Sequence, residues 1–541
     1  MVDKFLRIAA LASLILFLSC GSKVPVISSI DPKIGVMGDV VTISGKNFGS
    51  SRDESYVTFR GIAPTSSSYY AWQDNLIMIR IPELGESGLV YVHSRGRKSN
   101  GALFTNSASV PKPVAGEELG LGPIIASISP QSGGVGTLVT ITGSNFGRSR
   151  EGGGVFFSWD YESRVNPYLV KEPELIEVSE LELGYVSWTA REIRVYLPDG
   201  AVSGNVEVRT PHGTSRPVFF DVTGKPGVKV FSDKRVYTVN YSVDIRVIEA
   251  ERPNALYLWM PMPVVSPSQR NVNLISRNID PFVENHRGVS LYKLDNLAKG
   301  AAQSIDLSFS VDVYAVETEI RPQAVRQERT PVSAMYTQSS ALIPSGEARI
   351  KETVDAVIGR EQNPYNKAKL IYNWIIGNIK MADTPASNSG EIVNAISRKS
   401  ADTYTFALLY TAMIRAAGIP CVPVAGALVN RHGNTLRHYW VEFWIDGFGW
   451  VPADPAMGAG ILDASFVTKE NPASYYFGNI DNFRVAFSRG ELALSQMENR
   501  GRVVSHSQSY SLQNIWEEAS GGLESYTSLW TGISVSGIYV Q

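Results

Sequence analysis

His438 and Asp454 lie within "HYWVEFWIDGFGWVPADPA" (438–456), on either side of an Asp446-Gly447 turn signal between two runs of alternating apolar residues. Such a run predicts a β-hairpin. If Asp446-Gly447-Phe448 forms a three-residue loop, opposed positions have numbers summing to 894. Asp454 then opposes Trp440 and is diagonal to His438 on one face, roughly 7 Å away between backbones. A two-residue loop would shift the register by one and split the two across the sheet. A buried carboxylate beside an imidazole fixes its tautomer and supports an imidazolium, which is half the apparatus of nucleophilic catalysis. The other half is a nucleophile, which the start of a helix can activate. "ADTYTFALLYTAMIRAAGIP" (401–420) reads as a helix that begins around Asp402-Thr403 and ends in Gly418-Ile419-Pro420. Thr403 stands at its first turn. A threonine hydroxyl is a far weaker nucleophile than a thiolate, and nucleophilic threonines normally depend on an adjacent base in an N-terminal arrangement. Asp402 or Thr403 also has a structural task there, capping the free N–H groups. Cys421 lies 18 residues beyond Thr403, past the far end of a helix about 22 Å long. Set in an apolar strand, it reads as an inert buried thiol.

These stretches resemble the transglutaminase-like superfamily, papain-like in fold with a Cys-His-Asp triad. The family pattern runs G-x-C-x-x-[FY]-A, R-A-x-G-I-P, H-x-W-x-E and G-W-x-x-x-D-P. This chain has "ADTYTFA", "RAAGIP", "HYWVE" and "GWVPADP" within 365–457. The resemblance places the family's cysteine at Thr403 and the other two triad positions at His438 and Asp454. It implies the scaffold of an amide-directed hydrolase or acyltransferase with the nucleophile replaced. His438 and Asp454 then remain either as a structural pair or as part of a ligand site. Trp440, Trp444 and Trp450 read as core. Upstream, "NPYNKAKLIYNWIIGNIKM" (363–381) sets Leu370, Ile371, Trp374, Ile375 and Ile379 on one helical stripe.

The elements before this region are strands. "ISSIDPKIGVMGDVVTISGKNFG" (27–49) repeats as "IASISPQSGGVGTLVTITGSNFG" (125–147) at an offset of 98. Farther on, Trp72, Pro82 and Gly88 meet Trp188, Pro198 and Gly204 at an offset of 116, so the second copy carries an 18-residue insertion. The repeat resembles the IPT/TIG family of immunoglobulin-like sandwiches. The expected architecture is multidomain: an all-β N-terminal half, of two Ig-like β-sandwiches (25–107 and 122–223) plus a further β-sandwich (228–325), then an α+β transglutaminase-like domain (340–470) and a C-terminal extension (471–541).

The first 19 residues read as a signal peptide. Lys4 and Arg7 precede the apolar run Ile8–Leu18, and "LFLSCGSK" resembles a bacterial lipoprotein signal with Cys20 as the acylated residue, although Phe17-Leu18-Ser19 departs from the usual box. The expected location is the cell envelope, lipid-anchored to a membrane through Cys20. Besides Cys20 the chain has only Cys421, so an internal disulfide is not expected. With 50 basic and 52 acidic residues, and with export, nucleic acid is not an expected partner. The six histidines are scattered without i, i+4 spacing, so no metal or other cofactor is expected. The sequence leads to an envelope lipoprotein whose disabled transglutaminase-like domain binds or scaffolds a protein, peptidoglycan peptide or glycan. The alternative is an amide-directed enzyme with a non-cysteine nucleophile.

Overall fold

The computed structural model describes residues 23–540 except 83–87, 107–121, 151, 165–170, 172, 180–183, 225, 327–330, 384–388, 499 and 507. The signal segment and Cys20 lie outside the described residues. The chain divides into two compact units, Met1–Glu117 and Glu118–Gln541.

In the first unit, period-2 alternation gives two facing sheets. Val26–Asp31, Val40–Lys46, Leu76–Arg80 and Tyr69–Gln73 form one, while Ile34–Gly35, Ala102–Asn106, Gly88–Ser94 and Tyr56–Phe59 form the other. Their inner faces bury Val41, Ile43, Phe48, Phe59, Ile77 and Phe104.

The second unit begins with the repeat of this sandwich. Val139, Ile141 and Phe146 are buried at the positions of Val41, Ile43 and Phe48. The 18-residue insertion has a structural product: Glu174–Glu177 forms an additional strand paired with Gly154–Trp159. It reaches the next domain through Arg270, whose Nε lies 3.3 Å from Glu174 and whose Nη2 donates to the Leu175 carbonyl.

The following β-sandwich is built on two long strands, Gly227–Ala250 and Ala302–Ile320, paired along almost their whole length. The expected C-terminal extension (471–541) supplies strands to it. Leu523–Trp530 and Ser534–Val540 both pair with Gly227–Ala250, and Glu517–Ala519 pairs with Ala255–Pro261. Trp516 enters the same core and is fully buried. The chain thus leaves the sandwich, folds the transglutaminase-like region and returns to complete both sheets.

That region has helices on one side of a four-stranded antiparallel sheet, ordered Gly449–Ala453, Thr435–Ile445, Cys421–Val429, Arg484–Arg489. The outer strand Arg484–Arg489 comes from beyond the expected boundary at 470. Helix Thr403–Ala416 is buried at almost every position, packed between the sheet and helix Pro364–Asn378. The latter helix buries Ala368, Ile371, Tyr372 and Ile375, and Leu370 is 39% exposed. The expected stripe is therefore corrected at Leu370: a one-residue step turns a helix by about 100°, which carries residue 370 off the face occupied by 371 and 375.

The hairpin is locked to the preceding domains. Lys229 Nζ donates to the Trp450 carbonyl at 2.8 Å and pairs with Asp199, both side chains being less than a tenth exposed. Gly449, at φ +95°, allows the approach: a Cβ there would lie 2.1 Å from Asp199 Oδ1. Only glycine fits that position.

Candidate active site

The hairpin pairs Ile445 with Gly449, Trp444 with Trp450 and Val441 with Ala453, which is the register summing to 894. Gly447, at φ +73°, makes the reversal. The strand Gly449–Ala453 ends before Asp454, which caps the short helix Pro455–Ala459 by accepting from the Met457 N–H at 2.9 Å. The other carboxylate oxygen, Oδ2, lies 2.8 Å from His438 Nε2. Both side chains are fully buried. With Nε2 directed at a carboxylate, neutral His438 carries its proton there and leaves Nδ1 bare. Nδ1 is buried and has no hydrogen-bond partner.

A third residue completes this arrangement, and it comes from the tail. Arg484 Nη1 donates to Asp454 Oδ2 at 2.9 Å, the oxygen that His438 uses. Arg484 Nε donates to Asp481 at 3.3 Å, and Asp481 is held by Thr468 Oγ1 and Tyr476 Oη. Burial alone would raise the Asp454 pKa; His438, Arg484 and the Met457 N–H outweigh it and hold the carboxyl below its ordinary value. Asp481 is likewise lowered, burial being outweighed chiefly by Arg484. No motif marks Arg484 or Asp481, because Arg484 reaches Asp454, and Asp481 holds Arg484, only through the way the strand Arg484–Arg489 joins the sheet.

Thr403 is the first residue of its helix, half-buried. The capping role belongs to Asp402, which accepts from the Thr405 N–H at 2.9 Å. Because His438 Nδ1 is unpaired and Nε2 is taken by Asp454, Thr403 makes no hydrogen bond to the imidazole. Cys421 is fully buried, its thiol pushed up to about 12 by burial. A thiol held protonated is not a nucleophile at neutral pH. Trp440, Trp444 and Trp450 are 4–6% exposed. Trp440 packs in one core with Trp159, Tyr161, Phe231 and Tyr314 of the two preceding sandwiches. Among the described residues no cluster of three or more His, Cys, Asp or Glu side chains could hold a metal ion, and no helix is long and apolar enough to cross a membrane.

Comparison with known proteins agrees with this architecture. The model of the transglutaminase-like superfamily matches residues 351–455, and that of the IPT/TIG domain matches 25–107 and 123–168. The chain therefore carries IPT/TIG domains and a transglutaminase-like domain. It is 22% identical over 301 residues to an uncharacterized protein of Haemophilus influenzae, covering 48% of this chain and 80% of that one. Among solved structures it is similar to a cysteine-protease candidate from Cytophaga hutchinsonii, at 16% identity and TM-score 0.35, over 58% of this chain and 92% of the other. It is also similar to the periplasmic domain of TgpA from Pseudomonas aeruginosa, at 15% identity and TM-score 0.25, over 40% and 87%.

Proposed function

We propose that this is an extracytoplasmic lipoprotein, anchored through acylated Cys20, whose transglutaminase-like domain is catalytically silent and serves as a binding or scaffolding module. The observation that carries the reading is the state of the dyad. His438 and Asp454 keep a close contact, yet both are sealed from solvent, with Nδ1 unpartnered. The position that the family pattern gives to cysteine holds Thr403. A hydroxyl there lacks the low pKa that lets a cysteine supply a thiolate near neutral pH. A retained, buried dyad without a nucleophile serves stability, and the β-sandwiches around it offer surface for a protein, peptidoglycan peptide or glycan.

The second reading, an amide-directed hydrolase or acyltransferase, draws on the His438–Asp454 contact, since an imidazole oriented in this way could deprotonate a nucleophile. Thr403→Cys tests where residue 403 stands relative to the imidazole. We expect its thiol to react with iodoacetamide faster than Cys421 at about pH 6 to 7, where an ordinary thiol is protonated, and the advantage to vanish in Thr403→Cys/His438→Ala. Equal reactivity with and without His438 would reject residue 403 as the nucleophile position.

A further inference from the structure

We propose that Arg484 is a positioning residue which, by sharing Asp454 Oδ2 with His438, limits the support that the carboxylate can give to an imidazolium. The inference rests on the reading that residue 403 occupies the nucleophile position. Oδ1 of Asp454 accepts from the Met457 N–H, and His438 and Arg484 both contact Oδ2, at 2.8 and 2.9 Å. The Arg484 guanidinium lies over Trp440, 5.0 Å from the ring centroid. The His438 ring runs 19° from parallel to the same indole at 6.4 Å. Protonating His438 would therefore place a second buried cation on an oxygen already paired with a permanent one. A lone carboxylate in a triad lends its whole charge to the imidazolium; here it is divided. Asp481, with Thr468 and Tyr476 behind it, fixes the guanidinium in place. All four of these residues lie beyond 351–455, the segment that matches the transglutaminase-like model. The arrangement is therefore supplied to the dyad from C-terminal to the matched segment.

The test uses the full chain carrying Thr403→Cys, with the pH dependence of iodoacetamide alkylation as the readout. Around the two positions lie Asp402, with Arg437 near it, Tyr404, with Glu491 and Tyr439 near it, then Asp454, Asp481 and Arg484, and the phenols of Tyr372 and Tyr476. Arg484→Met should free Asp454 for the imidazolium and lower the thiol midpoint by about one pH unit, an acceleration of about tenfold near pH 6. Arg484→Lys, which keeps the charge, should leave the midpoint where it is. If the midpoint responds to His438→Ala but is the same in Arg484→Met, the inference is overturned and the reading of the site stands. A thiol indifferent to His438→Ala overturns both. If circular dichroism shows that Arg484→Met does not fold, Asp481→Asn decides the matter: with its second carboxylate gone, the guanidinium rests on Asp454 alone and the midpoint must rise. A midpoint that falls or stays constant there contradicts the inference.

Discussion

Asp454 accepts hydrogen bonds from His438, Arg484 and the Met457 amide while fully buried. Replacing it with Asn removes the charge that pairs with Arg484 and leaves one acceptor oxygen where His438, Arg484 and the Met457 N–H now share two. Breaking a buried pair in this way costs about 3–5 kcal/mol, and urea denaturation of Asp454→Asn should show a loss of that size at neutral pH. The sign with pH follows from the lowered carboxyls of Asp454 and Asp481. Their folded-state pKa lies below the unfolded value of about 3.9, so their stabilisation is fully present above that value and lost as pH falls through the folded pKa. The part of the stability gap between native protein and Asp454→Asn that comes from the carboxylate should be present above about pH 4 and close as the pH falls below it. A gap that widened in acid would mean that Asp454 is not held as a carboxylate.

The hairpin register was legible because Asp446-Gly447 and the alternation on each side leave few pairings, and a one-residue slip would turn Trp444 and Trp450 to the other face. The IPT/TIG repeat was legible because Gly45 and Gly143 recur where a Cβ would collide with the carbonyls of Val26 and Ile124. The tail was not legible. Glu517–Ala519, Leu523–Trp530 and Ser534–Val540 find partners more than 250 residues away in sequence, and local periodicity carries no information about such partners. Arg484 was missed because it meets Asp454 only once its strand pairs with Cys421–Val429, a pairing that no local pattern marks. The structure makes the tail integral, so Trp516→Ala should cost about 3–5 kcal/mol, the range for deleting a buried tryptophan, and should render the sandwich sensitive to limited proteolysis. A variant as stable and protease-resistant as the native protein would contradict this.

At the scale of the molecule, there is a compact unit of IPT/TIG type and a second unit holding three fused domains, and the proposed lipid anchor is at Cys20. Cys20→Ser should release a folded protein from membranes into the soluble fraction. A cleaved, unacylated mutant that stays membrane-bound would refute the lipid anchor. The central claim is that the transglutaminase-like domain of the native chain performs no amide chemistry. Its most direct test is to incubate the full native chain and its His438→Ala variant with glutamine-containing peptides, with and without a primary amine, and to follow cleavage, ammonia release and amide exchange by mass spectrometry. Neither protein should turn over these substrates above the uncatalysed rate. Turnover by the native chain that disappears in His438→Ala would contradict it and establish the dyad as the working part of an enzyme.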